Sequence, residues 1–364
     1  MNNQTSARFT SRLIGLNGGI IMKQMNKSRN HIHGNRLLHS SKKVTALLLA
    51  TLLFVSLTAC GNNNSASTDA NGNKTLTIAY QYGMAYAPLQ VMMEQKLIEK
   101  YYPNVTINWQ VLNSGSAITE GIAANSIDIG AMGVAPAITA ITRGVPCKIF
   151  SAMSSQPHKI MTNNPNINSL SDMTPETKIA LVNIGSIQHI LLSMAAEKEL
   201  GDAHALDNNI LAMSHPDGMT ALLSNSVECQ LTTSPYVFKE EAEGNIHSIS
   251  SISEVWPDGN TFIVALASTK LHDENPELYT AVANALSDAI TYMNENQEDA
   301  AAMLCEKEGV DQATMLSWLQ DPACGYSTET AGLMQMAEFM ASAGFIEEAP
   351  AEYSALVYDN VKGN

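Results

Sequence analysis

Beyond residue 59 the chain has a single arginine, Arg143, and before residue 60 it has no aspartate or glutamate at all. The second absence sets the N-terminal segment apart. Eight of the 20 basic residues lie there (Arg8, Arg12, Lys23, Lys27, Arg29, Arg36, Lys42 and Lys43), so the remainder carries 12 basic groups against 35 acidic ones, a formal charge of −23. A body this acidic repels nucleic acid and anionic headgroups, which excludes both as partners recruited by charge. A spanning run is also lacking, because the apolar stretch at 44–57 falls short of the ~20 residues a membrane helix needs. Asn and Ser follow it in place of a basic stop. Cysteine is scarce, with five in 364 residues, and Cys147, Cys229, Cys305 and Cys324 match no zinc spacing. No nucleophile elbow, paired metal histidines or phosphate loop occurs, and Gly115 and Gly133 stand alone rather than in a glycine-rich loop. The expectation is a chain without cofactor, metal or catalytic group.

What is present begins at Cys60. The basic pair Lys42-Lys43, the apolar run, the small residues Thr58-Ala59 and then Cys60-Gly61-Asn62-Asn63-Asn64-Ser65 form an export signal over 1–59, cut before the cysteine. Met22 and Met25 are alternative starts. The pattern resembles the lipobox of bacterial lipoproteins, which implies an acylated Cys60 and a protein lipid-anchored on the extracytoplasmic face of the cell membrane. Residues 60–73 are too poor in apolar side chains to bury anything and read as a flexible tether. Export permits disulfides, and Cys305 with Cys324 is the first pair to consider; unpaired buried thiols are the alternative.

From Thr75 onward strands and helices alternate on short connections. Alternating or apolar strand patterns fall at 75–80, 105–111, 127–130, 147–153, 178–182, 209–213, 227–232 and 261–266. Helical patterns follow most of them, and from Asn275-Pro276 the chain is helical nearly to its end. Such alternation predicts α/β lobes with parallel or mixed sheets covered by helices. The nineteen methionines are scattered and read as packing residues rather than metal ligands. His158, His204, His247 and His272 lie far apart and read as surface residues.

Residues 113–153 carry the functional signal. Ser114-Gly115-Ser116 is a helix start, Ser126-Ile127-Asp128-Ile129-Gly130 a short strand, and the segment from Ala140 through Arg143-Gly144-Val145-Pro146 to Ile149 closes the unit. In that order, with Asn183-Ile184-Gly185-Ser186 and Ser268-Thr269-Lys270-Leu271 downstream, the chain resembles the solute-binding proteins of bacterial ABC importers of the nitrate, sulfonate and taurine type. The resemblance runs from about Leu76 to Phe345. It implies a two-lobed periplasmic binding protein fold, type II-like, with a helical C-terminal region: 74–154 plus 267–364 as lobe 1 and 155–266 as lobe 2. It further implies a monomer that captures a small molecule between its lobes and hands it to a permease with its ATPase.

Open α/β sheets bind ligands beyond the carboxyl ends of their strands, where helix starts offer unpaired N–H groups. Those positions hold Tyr82, Tyr86, Ser114, Ser116 and Gly133 in the first lobe, and Ser186, His189, His215, Asp217, Ser234 and Tyr236 in the second. The serines, His215 and Asp217 are equally readable as helix caps, and a tyrosine as core. Sulfonate-binding relatives commonly clamp their anion with a guanidinium, and Arg143 sits at a helix end away from the cleft. That leaves two ligand classes open: an oxyanion held by N–H groups alone, or a heterocycle between tyrosine rings with Asp217 accepting from an amino group. A surface sensor feeding a receptor uses the same chemistry. An enzyme resembling thiamine-pyrimidine synthases lacks its clustered cysteine segment here.

Overall fold

The computed structural model describes residues 72–249 and 252–364; the export signal, Cys60 and nearly all of the tether lie outside the described residues. In chain order, β1 (Lys74–Tyr80) is followed by the short helices α1 (Ala87–Glu94) and α2 (Leu97–Tyr101), then β2 (Val105–Val111) and α3 (Gly115–Ala123). Next come β3 (Ile129–Gly133), α4 (Val134–Thr142) and β4 (Cys147–Ser154). β5 (His158–Thr162) and β6 (Ile179–Leu181) lead to α5 (Ile187–Leu200), β7 (Ile210–Ala212) and α6 (His215–Leu223). β8 (Cys229–Thr233), α7 (Tyr236–Glu241), β9 (His247–Ile249) and β10 (Ile263–Ser268) complete the sheets. The chain then turns helical through α8 (Thr269–Glu274), α9 (Pro276–Glu295), α10 (Gln297–Glu308), α11 (Gln312–Leu319) and α12 (Leu333–Ser342).

Two five-stranded sheets result, ordered β2-β1-β3-β10-β4 and β7-β6-β8-β5-β9. Each opens with parallel pairs, β1 with β2 and β3 in the first, β6 with β7 and β8 in the second. Each then takes an antiparallel strand from the other side of a crossover: β10 between β3 and β4, and β5 between β8 and β9. The central strands β3 and β10 are buried along their whole length, which is why Ile263-Val264-Ala265-Leu266 reads as a continuous apolar run rather than an alternation. The placement of β10 corrects the expected lobe limits. Residues 263–266, assigned above to lobe 2, pair with β3 and β4, so the second crossover ends before Ile263.

The two crossovers touch. The Phe262 N–H donates to the Ser154 carbonyl at 2.8 Å, and the Phe262 ring meets His158 edge-on with centroids 4.4 Å apart. His158, expected at the surface, is buried there because it begins β5, a strand paired between β8 and β9. The helical tail belongs with the first sheet: α9 packs on α1 and α2, and α12 on α4. α12 starts at Leu333, just after Gly332, which takes a left-handed φ of 80°, and ahead of it the Thr328 carbonyl accepts from the Ala152 N–H at 3.1 Å. All four described cysteines are free thiols. This corrects the Cys305–Cys324 pairing, with Cys324 buried in the core and its thiol pushed up to about 12 by that burial.

Candidate functional site

The strand-end loops of both sheets face one another across a narrow hollow with a cavity volume of about 30 Å³. Four helices point their first turns at it. Gly115 opens α3, Gly133 caps α4, Ser186 caps α5 and Ser214 caps α6, and all four residues line the hollow. The first-turn N–H groups of a helix have no partners within it, and the peptide dipoles add a partial positive charge there. Four such ends border one space, although in α4 the Val134 N–H already donates to the Phe262 carbonyl and Pro136 has none, and in α6 Pro216 has none and the Asp217 N–H donates to the Ser214 hydroxyl.

The rest of the wall is neutral. Tyr86 is buried, and its hydroxyl accepts from the Gln81 side-chain amide at 2.8 Å, leaving the phenolic proton to donate. Burial raises the Tyr86 pKa well above the ordinary phenol value, which keeps that proton in place. His215 is held by a 3.0 Å contact between Nδ1 and the Thr232 hydroxyl, and burial pushes it down to about 4. His158 behind it is pushed down to about 3, by burial first and by His215 second. Both imidazoles are therefore uncharged at neutral pH. Gln188 is buried with its amide nitrogen Nε2 lacking any hydrogen-bond partner, and it too lines the hollow. Among the described residues, none that lines the hollow is Asp, Glu, Lys or Arg.

Beside the hollow, two glycines of the first lobe lie close against the second. A Cβ placed on Gly133 would lie 2.9 Å from Ile187 Cγ2 across the cleft, and one on Gly83 would lie 3.2 Å from the Ser234 carbonyl oxygen. Glycine at 133 is thus the residue that lets the first lobe approach the start of α5.

Of the expected site residues, Tyr82, Tyr86, Gly133, Ser186 and His215 line this hollow. The others do not. Ser114 caps α3, accepting from the Ala117 N–H at 3.3 Å, and it is bonded to Ser116, which faces a neighbouring hollow beside Arg143. His189 points away from the cleft: Nδ1 accepts from the Gly185 N–H and Nε2 meets Asp207, each at 3.0 Å. Asp217 is exposed and accepts from the Ser214 hydroxyl at 2.5 Å, completing a helix cap whose first residue is Ser214 rather than His215. The Ser234 hydroxyl donates to the Gln156 side-chain oxygen, and Tyr236 stacks behind His215 with centroids 5.6 Å apart. Gln81, Asn113, Gln188, Ser214 and Phe262 were missed. The first four stand within a residue or two of the strand ends and helix starts that were scanned; Phe262 falls at the N-terminal end of the strand pattern 261–266, away from the carboxyl ends that were scanned. Arg143 is absent from this wall, as its helix-end position implied.

A model of the NMT1-like family matches residues 69–306. The putative aliphatic sulfonates-binding protein of Escherichia coli strain K12 is 23% identical over 281 residues, covering 76% of this chain and 83% of that protein. Among solved structures, the periplasmic aliphatic sulphonate binding protein SsuA of Escherichia coli superposes with a TM-score of 0.59 at 20% identity, over 79% of this chain and 93% of the other. The alkanesulfonate-binding protein SsuA of Xanthomonas axonopodis pv. citri, bound to MOPS, gives 0.63 at 18% identity, over 82% and 100%. A Candida albicans protein with the generic periplasmic binding protein fold gives 0.60 at 15%, over 79% and 96%. These likenesses place the architecture among two-lobed periplasmic binding proteins.

Proposed function

The chain belongs to the NMT1-like family, and from that premise we propose that it is the extracytoplasmic solute-binding lipoprotein of an ABC importer. It captures one small molecule in the inter-lobe hollow and delivers it, as a monomer, to a permease and its ATPase. The ligand is a small organic anion or a strongly polar neutral molecule rich in hydrogen-bond acceptors. One observation carries this reading: four helix starts border a space that, among the described residues, is lined by neutral polar and apolar side chains with no Asp, Glu, Lys or Arg. Oriented N–H groups hold such acceptors without a guanidinium. An aminated heterocycle is less well served, because Asp217, the acceptor it needs, is bound to Ser214. Tyr82 and Tyr86 both border the space and are suited to flank the ligand body. A surface sensor would use the same cleft and differ only in its membrane partner.

Thermal unfolding with a panel of alkanesulfonates, nitrate, pyrimidines, flavins and cationic amines tests the ligand class. A true ligand at one hundred times its Kd stabilises by about 2.7 kcal/mol. Stabilisation by a sulfonate or another acceptor-rich compound is the expected result; stabilisation by a cationic amine alone, or by nothing in the panel, contradicts the reading. The anchor has its own test. Cys60→Ser is expected to move the protein from the membrane fraction to the soluble one, and retention in the membrane would contradict lipidation at that residue.

A further inference from the structure

Away from the hollow, a continuous series of hydrogen bonds ties the lip of the second lobe to the C-terminal region packed on the first. The Gly185 N–H donates to His189 Nδ1 at 3.0 Å, which puts the His189 proton on Nε2, 3.0 Å from Asp207 Oδ1. Asp207 Oδ2 lies 2.8 Å from His204 Nδ1. His204 Nε2 in turn lies 2.9 Å from the Ala343 carbonyl oxygen. His204 follows α5 in the second lobe, whereas Ala343 caps α12, which packs on α4 of the first. The last bond therefore crosses between lobes, with the Phe345 ring against both imidazoles at centroid distances of 5.2 and 5.1 Å.

Both ring nitrogens of His204 face groups that only accept, a carboxylate oxygen and a carbonyl oxygen. A neutral imidazole carries one N–H and satisfies one of them; the imidazolium satisfies both. We propose that His204 is a positioning residue for the cleft, whose protonated form latches the second lobe to Ala343 and, through Asp207 and His189, holds the Gly185-Ser186 helix start against the first lobe. The proposal rests on the cleft being the ligand site, since Ser186 lines it and Gly185 adjoins it. Asp202 and Asp207 face His204 from its own segment, with His189 behind Asp207; the C-terminal side offers the Ala343 carbonyl and the Phe345 ring, neither of which titrates.

The direction of the effect follows from the geometry. The Ala343 carbonyl, and then Asp207, raise the His204 pKa above its ordinary 6.5. The latch is complete below 6.5 and is lost as pH climbs through the raised value. Burial pushes His215 in the cleft down to about 4 and His158 behind it down to about 3, both outside this window.

Small-angle scattering of the ligand-free protein at about pH 6 and about pH 8.5, together with NMR titration of the His204 imidazole, tests the latch. Wild type is expected to have the larger radius of gyration at the higher pH, and His204 to titrate above 6.5. H204Q, at an exposed position, is expected to scatter alike at both. A wild type indifferent to pH, an H204Q that opens as wild type does, or a His204 titrating at or below the ordinary value would overturn it. Should H204Q fail to fold, the wild-type titration and scattering still decide. None of these readouts needs a ligand, so their failure leaves solute binding standing, while the panel of compounds tests that reading separately.

Discussion

Gly133→Val is expected to abolish ligand-driven closure while leaving the first lobe folded. The backbone at Gly133 has φ −59° and ψ 152°, which any L residue adopts, so valine adds no strain within its own lobe. The conflict lies across the cleft. A Cβ there meets Ile187 Cγ2 at 2.9 Å and Cβ at 3.2 Å. Ile187 is β-branched at the first position of α5, so its χ1 has little freedom to yield. The lobes must part instead, which pulls the α5 start away from the ligand. At least a hundredfold loss of affinity, about 2.7 kcal/mol, is expected from losing one wall of four. Far-UV circular dichroism should be unchanged. Gly133→Ala, with the same Cβ and no more, should lie between the two. A valine variant that still contracts in scattering on adding ligand would show that the contact does not set the closed state.

The second large effect concerns stability. Glu240 on α7 is buried in the second lobe with neither carboxylate oxygen hydrogen-bonded, and burial pushes its pKa from 4.5 up to about 8. The folded protein therefore keeps the proton over a range where the unfolded chain has lost it. Stability from this group is undiminished below 4.5, declines as pH rises from there to about 8, and is fully lost above. Glu240→Gln removes the titration. At about pH 8 the variant is expected to be more stable than wild type by roughly 4 kcal/mol, with the difference vanishing near pH 4. Chemical unfolding across pH reads the difference directly; parallel pH curves for the two proteins would mean that Glu240 finds a partner and is ionised in the folded state.

How far the sequence led can be judged from single elements. The strand β1, the helix start at Ser114 and the run at β10 were visible because periodicity and capping are local properties. β5 was not visible, since its strand character comes from being paired between β8 and β9 rather than from its own residues. The same division holds in the site. Scanning strand ends and helix starts found Tyr86, Gly133, Ser186 and His215, because topology places such positions at the cleft. It also admitted His189 and Asp217, since sequence spacing does not tell which way a first-turn side chain turns. His189 faces Asp207, and Asp217 folds back on Ser214. The lobe limit at 266 erred for a related reason: β10 follows the second lobe in sequence yet completes the first sheet in space. The distant position of Arg143 was legible, and the neutral wall that replaces a guanidinium clamp was not, because Gln81 and Gln188 carry no motif of their own.

Native mass spectrometry of the protein purified from its own host tests the central claim most directly. One small acceptor-rich molecule, neutral or anionic, is expected on each wild-type chain and on none of the Gly133→Val chains. A wild-type chain that flies bare, or that carries a cationic compound retained equally by the valine variant, would contradict a ligand gripped by four helix starts between closing lobes.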